Sequence, residues 1–250
     1  MRVIINADDL GANQQINDAT FDLISAGLIS SATIMANAVS VEDAVERAKF
    51  FPKVSFGIHL NITTFSALSL SNGLKTILDD NGNFIGKSRL IKTSITRFLS
   101  NAIYSEFCSQ VERLLLFGIN ISHIDSHEHI HTIPRIFPIL KRLQQRYDIR
   151  KVRISRNIYL PNYRVSKHLL LKKYFYNFML KKFFATKTTS GFGSLEEFYI
   201  NAKRNNLKHD TVEIMVHPGS EKHNNETNIL KPFWYKNLPL NIKLINYYQL

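Results

Sequence analysis

The chain has 250 residues, 44% hydrophobic and 21% charged, a length that suits one α/β barrel and a composition that excludes disorder and fibrous repeats. Thirty-two Lys and Arg against 20 Asp and Glu give +12, but the excess lies between positions 141 and 190, where 14 basic residues face only Asp148. The remaining 200 residues sum to −1, which excludes a uniformly basic nucleic-acid binder.

The N-terminal run Met1–Asn6 reads as a strand that enters the fold at once and leaves no room for a signal peptide. Val3–Ile5 is the predicted first strand, followed by a helix from about Gln15 to Ser25 that stops near Gly27. Ala32–Met35 is a second strand, and Ser40-Val41-Glu42-Asp43 predicts a capping box that opens a helix ending before Pro52. Val54–Leu60 is a third strand. Residues 61–90, with Gly73, Gly82 and Gly86 among polar neighbours, predict a long irregular insertion. A helix over about Ser100–Phe117 carries the single cysteine, Cys108, as a packed thiol, and Gly118 stops it. One cysteine excludes a disulfide framework and a cysteine zinc cluster.

The rhythm continues with a strand over Ile119–Ile124 and a helix that Thr132 and Pro134 open and Tyr147 ends. Val152–Ile154 is a further strand, followed by a helix near Val165–Phe184 inside the basic block. Ser194-Leu195-Glu196-Glu197 caps another helix, and Thr211–Val216 and Lys243–Asn246 close as strands. Strands and helices alternate to the end without repeats or linkers, so the expected architecture is one irregular TIM-like (β/α) barrel domain over residues 1–250. The double lysines at 172–173 and 181–182 interrupt the greasiest segment, so no membrane-crossing run is expected and a cytoplasmic protein follows.

Parallel folds place chemistry at the C-terminal ends of strands, and four predicted strands end on reactive side chains. The first runs into Asp8-Asp9, the third into His59, the Ile119–Ile124 strand into Asp125, His127, His129 and His131, and the 211–216 strand into His217-Pro218-Gly219. Singly, each has a plain reading as a turn pair, core histidine, surface loop or packing histidine. Together they resemble a metal site. Adjacent carboxylates point apart in extended backbone, so one of Asp8 and Asp9 binds a metal while the other faces a bound water. Three alternating histidines at 127, 129 and 131 in extended backbone share one face. His127 through His131 also spells the H-E-x-x-H zinc-peptidase pattern, which works only on a helix, and the helix signals begin afterwards. His123, Asp125 and His217 mimic a non-haem iron facial triad, a reading that the shortage of strands for a jelly roll makes minor. His217 at a turn suits a general acid near neutral pH.

The segments Asn6-Ala7-Asp8-Asp9-Leu10-Gly11, Gly57-Ile58-His59-Leu60, His123 to His131, Val152-Arg153 and His217-Pro218-Gly219 resemble the YdjC/ChbG (HpnK-like) family of carbohydrate deacetylases, in family order and across nearly the whole chain. Leu10 stands where that family more often has Phe. The resemblance implies an irregular α/β barrel holding one divalent ion on Asp9, His59 and His127, with Asp8 as general base and His217 as general acid. It also implies that Arg153 orients the base or touches substrate, and that His129 and His131 face the substrate or support the ligands. The expected reaction is hydrolysis of an N-acetyl group on an amino sugar, oligosaccharide or lipid-linked glycan. The ion is expected to be magnesium, as the family is commonly described, or zinc, as mixed nitrogen and oxygen ligation suggests. Two other readings stay open: a metal-dependent hydrolase or oxygenase on another small molecule, and a non-catalytic sugar- or lipid-phosphate-binding protein.

The 165–184 helix interleaves lysines with leucines and phenylalanines. It reads either as a barrel helix with its apolar face packed inward, or as a basic amphipathic helix lying on an anionic membrane near a lipid-linked substrate. A homodimer is left open, and no nucleic-acid partner is expected.

Overall fold

Along β1 (Arg2–Leu10) the residues Val3, Ile5 and Ala7 alternate with Ile4, Asn6 and Asp8, and the alternation decides which side of the sheet each one serves. The first set joins the large apolar core beneath the helices. Ile4 instead belongs to a small separate cluster with Ile245 and Tyr247. Asn6 and Asp8, both almost fully buried, continue on the Ile4 side. The computed structural model in which this is seen describes residues 1–250, apart from the side chain of Thr227.

Parallel strands are arranged β4-β3-β2-β1-β6-β5, with β7 (Lys243–Leu244) beside the start of β1. The others are β2 (Ser31–Ile34), β3 (Ser55–Leu60), β4 (Ile124–Ser126), β5 (Gly191–Ser194) and β6 (Thr211–Val216). The sheet curls into an incomplete barrel with helices outside, as the sequence led one to expect. Segment 151–158 bridges its two edges. Ile124 of β4 donates to the Lys151 carbonyl at 2.9 Å and accepts from Arg153 at 3.0 Å, while Asn157 and Ile158 both donate to the Phe192 carbonyl of β5 at 3.1 and 3.0 Å.

Helices α1 (Gln14–Ser25), α2 (Val41–Ala48), α3 (Lys87–Lys92), α4 (Arg97–Leu116), α5 (Phe137–Tyr147), α6 (Lys167–Lys182), α7 (Leu195–Lys203) and α8 (Asn224–Ile229) complete the fold. The capping box at Ser194 and Glu197 forms as expected. Cys108 is buried in α4. Residues 61–90 hold a 3₁₀ turn, Asn72–Ile77, and two isolated bridges.

Several expectations are corrected. Ser40 precedes α2 but makes no side-chain cap, because at φ −111° and ψ 24° it lacks the extended geometry a cap needs, and its N–H donates to the Gly11 carbonyl at 2.9 Å. The strand expected over 119–124 forms only at Ile124–Ser126, and Val152–Ile154 contributes a single bridge. Helix α5 starts beyond Pro134, at Phe137 with Pro138 in its first turn, because a 3₁₀ turn over His127–Thr132 intervenes. β5 carried no sequence signal, since two of its four residues are glycines. They are there for close approach: a Cβ on Gly191 would lie 2.9 Å from the His209 ring, and one on Gly193 3.0 Å from Ile158 Cβ.

Helix α6 packs inward only in part. Only Tyr176 and Leu180 are buried, whereas Leu169, Leu170, Leu171, Tyr174, Phe175 and Phe178 are exposed. Its apolar residues go all round, and one side alone meets the barrel. Among the described residues no helix is long and apolar enough to cross a membrane.

Candidate metal centre and cleft

Because the strands run parallel, β1, β3, β4 and β6 deliver Asp8 and Asp9, His59, His127 and His217 to one rim. There a cleft of about 610 Å³ is lined by all five together with His129 and His223. Regular strand geometry would point Asp8 and Asp9 to opposite faces. The β1–β2 register instead breaks between Ala7 and Leu10, and Asp9 adopts φ +64°, so both carboxylates line the cleft. Asp tolerates this left-handed conformation better than most residues.

Asp9 Oδ1 lies 3.1 Å from His59 Nε2 and 2.8 Å from His127 Nδ1. The donor atoms of these three residues fall within 4.8 Å of one another. Burial works against charge on Asp9, but the two imidazoles outweigh it and hold its carboxyl well below the usual range. No Lys or Arg pairs with Asp9 among the described residues. The three donor groups therefore converge with no Lys or Arg among them.

His59 is fixed from behind. Its register partner Asp125 accepts from Nδ1 at 2.6 Å, and Thr33 holds Asp125 Oδ2 at 3.0 Å. This bond puts the proton on Nδ1 and aims the Nε2 lone pair at the cleft, the arrangement that carboxylates impose on metal-bound imidazoles. Burial opposes protonation of His59, yet Asp125, Asp9 and Asp8 prevail and lift its pKa to about 10. A divalent ion would replace that proton. Donor chemistry and anchoring both fit such an ion.

Beneath lies a buried charged floor. Arg153, with no solvent exposure, donates to Asp8 through both terminal nitrogens at 2.7 Å and to Glu213 through Nε at 2.8 Å, and its Nη1 lies 2.8 Å from Asp125. Asn6 donates to Asp8 Oδ1 at 2.9 Å. Burial raises the pKa of Asp8, but the Arg153 guanidinium dominates and holds it well below the usual range. Burial wins at Glu213, which is pushed up to about 7 despite Arg153 and despite the Tyr247 hydroxyl donating at 2.5 Å. The Tyr247 ring stacks on His123 at 3.5 Å. His123 in turn requires Gly57, where a Cβ would stand 2.4 Å from the imidazole.

Across the cleft, the His217 backbone N–H donates to Glu226 at 2.6 Å, and its Nδ1 faces the same carboxylate across 3.5 Å. The ring stacks on His223 at 4.1 Å. Burial lowers the His217 pKa, but Glu226 and Asp8 together raise it above the ordinary histidine value.

The predicted residues separate in space. Asp8, Asp9, His59, His127, His217 and His129 share the cleft, while Arg153 is wholly engaged by carboxylates and cannot touch a substrate. His131 turns inward onto Ser126 and is buried away from the cleft. The shared extended face of the three histidines does not form, because Glu128 and His129 take left-handed φ of 50° and 57° and twist the segment. This same twist keeps His127 and His131 from meeting as a helical H-E-x-x-H pair would. His123, Asp125 and His217 do not converge either, His123 being packed under Tyr247. His129 is buried enough that its pKa falls to about 3, with Arg153 adding to the effect. It also opens into a second groove of about 280 Å³ walled by Arg156, Tyr159, Tyr163 and Lys173. Sequence reasoning assigned nothing to Glu213, Glu226, Thr33 and Tyr247. Glu213, an acid inside the apolar run Thr211–Val216, was a readable sign of a buried ion pair; Tyr247 and Glu226 gave none.

The sequence model of the family described as YdjC-like protein matches residues 2–237. A carbohydrate deacetylase of Clostridium beijerinckii is 31% identical over 221 residues, 88% of this chain and 82% of that protein. One of Geobacillus stearothermophilus is 34% identical over 160 residues, 63% of this chain and 62% of its own length, just under two thirds. In fold, the chain is similar to a crystal structure from Enterococcus faecalis V583, described as a candidate cellobiose-phosphate cleavage protein. The TM-score is 0.78, at 19% identity over 99% of this chain and 98% of that one.

Proposed function

The chain belongs to the YdjC-like family, and on that premise we propose that it is a metal-dependent deacetylase acting on an N-acetylated amino sugar, oligosaccharide or lipid-linked glycan. The observation that carries this reading is the Asp9–His59–His127 donor set facing Asp8 and His217 across one cleft. Those three residues would hold one divalent ion, magnesium or zinc, which when bound acidifies water and polarises a carbonyl.

The remaining chemistry belongs to the side chains. Asp8, ionised and clamped by Arg153 and Asn6, accepts the proton of the water that attacks the acetyl carbon. Its clamp fixes where that proton arrives. His217, whose protonated form Glu226 favours, gives its proton to the sugar nitrogen as the carbon–nitrogen bond breaks. Acetate and the free amine leave. His129, kept neutral by burial, offers both a donor and an acceptor to sugar hydroxyls, and the adjoining groove with Tyr159 and Tyr163 receives further rings of an oligosaccharide.

Metal analysis of purified protein, paired with acetate release from a panel of acetylated sugars, tests this. The expected outcome is one divalent ion per chain and acetate from at least one sugar, with His127→Ala losing both. A fully active, metal-free His127→Ala variant would overturn the reading.

A further inference from the structure

Helix α6 is apolar on two sides and packed on one. Tyr176 and Leu180 lie against the barrel. Leu171, Tyr174, Phe175 and Phe178 follow the i, i+3, i+4, i+7 spacing of a single helix face, and they are 66%, 73%, 60% and 46% exposed. A soluble helix normally turns polar residues to water, so a contiguous apolar stripe on the outside marks a contact surface.

The charge around the stripe selects the occupant. Lys167, Lys172, Lys181 and Lys182 are exposed beside it, and α6 contains no acid. The whole stretch 141–190 holds only Asp148 against its 14 cations. A second copy laid on this face would bring lysine against lysine. An anionic bilayer satisfies both features at once: the rings and Leu171 enter the headgroup boundary, while lysine stems extend along them and place ammonium groups among lipid phosphates.

We propose that the outward face of α6 docks the protein on an anionic lipid surface. The proposal needs α6 and not the metal centre, so it stands or falls apart from the deacetylase reading.

Co-sedimentation of the full chain with phosphatidylglycerol-containing vesicles, and with pure phosphatidylcholine vesicles, tests it at low and high salt. The chain is expected to pellet with the anionic vesicles, to be released by high salt, and to stay in solution with phosphatidylcholine. Leu171→Asp with Phe175→Asp should abolish pelleting without moving the melting temperature. Should that variant fold poorly, Lys181→Gln with Lys182→Gln serves instead, with affinity falling about fivefold per lysine. Three results would overturn the proposal: no pelleting at low salt, unchanged pelleting by both variants, or a wild-type dimer by light scattering that the aspartate pair converts to monomer, which would give the face to a second copy.

Discussion

The two walls of the cleft are held by different means. On one, His59 and Asp8 rest on the Arg153, Asp125 and Glu213 network, and the network residues are shut off from water. On the other, His217 is steadied by one carboxylate and one stacked ring, with side-chain exposures of 16% for His217 and 41% for His223. Metal donors and a proton-accepting carboxylate must keep fixed positions, which a buried network of charge-assisted bonds enforces. A proton donor to a leaving group must hold its proton and let product go, and a half-open wall suits that task. On the proposed reading, the rigid wall lies where an ion would sit and the more open wall where the amine would depart.

The comparison breaks first at Arg153. Arg153→Met leaves three buried carboxylates without their cation and is expected to cost about 3–5 kcal/mol of stability, measured by urea unfolding. The loss should be greater at pH 8 than at pH 5. Without the guanidinium, burial holds the Glu213 carboxyl further above its unfolded pKa, so its contribution is fully present at low pH and disappears as pH rises. A near-neutral effect would show that the floor does not fix the metal wall.

His217→Ala sharpens the other side. It should lower kcat by roughly 10²–10⁴ while the metal content of the purified protein stays at the wild-type level. A parallel fall in bound metal would mean that the two walls are one unit.

The smallest effect concerns Glu226. Glu226→Gln is expected to reduce kcat/KM about tenfold, less than loss of the general acid itself, and to shift the alkaline limb of its pH profile downward. The sign follows from the raised His217 pKa: activity needs the protonated ring, so it fades as pH climbs through that value, and removing the Glu226 charge lowers it. An unmoved limb would assign Glu226 a purely structural role through its bond to the His217 backbone.

Much of the frame was legible along the chain. β6 matches its expected bounds at both ends, and α1 begins one residue before its expected start and ends where expected, because apolar spacing and a terminal glycine act within a few residues of one another. The residues lining the cleft could also be read, since polar side chains at the ends of apolar strands have few other uses. What failed was of another kind. The capping reading at Ser40 failed because the chain there is not extended and its N–H is taken by Gly11, far earlier in the sequence. The extended face of His127, His129 and His131 lost to two left-handed residues, and the inward packing of α6 holds only for Tyr176 and Leu180.

The sequence by itself determined most of the alternation of strands and helices, with β5, α3 and α8 the exceptions, and the kinds of group that reach the rim, since periodicity and strand-end chemistry are local properties. Only the tertiary structure decided that Asp8 and Asp9 both enter the cleft, that Arg153 is a buried clamp for Asp8 and never a substrate contact, that His131 is turned away, and that a glycine strand meets segment 151–158. Each of these depends on groups far apart in the chain, up to 145 positions for Arg153 and Asp8, and no local spacing records such a meeting until the sheet has curled.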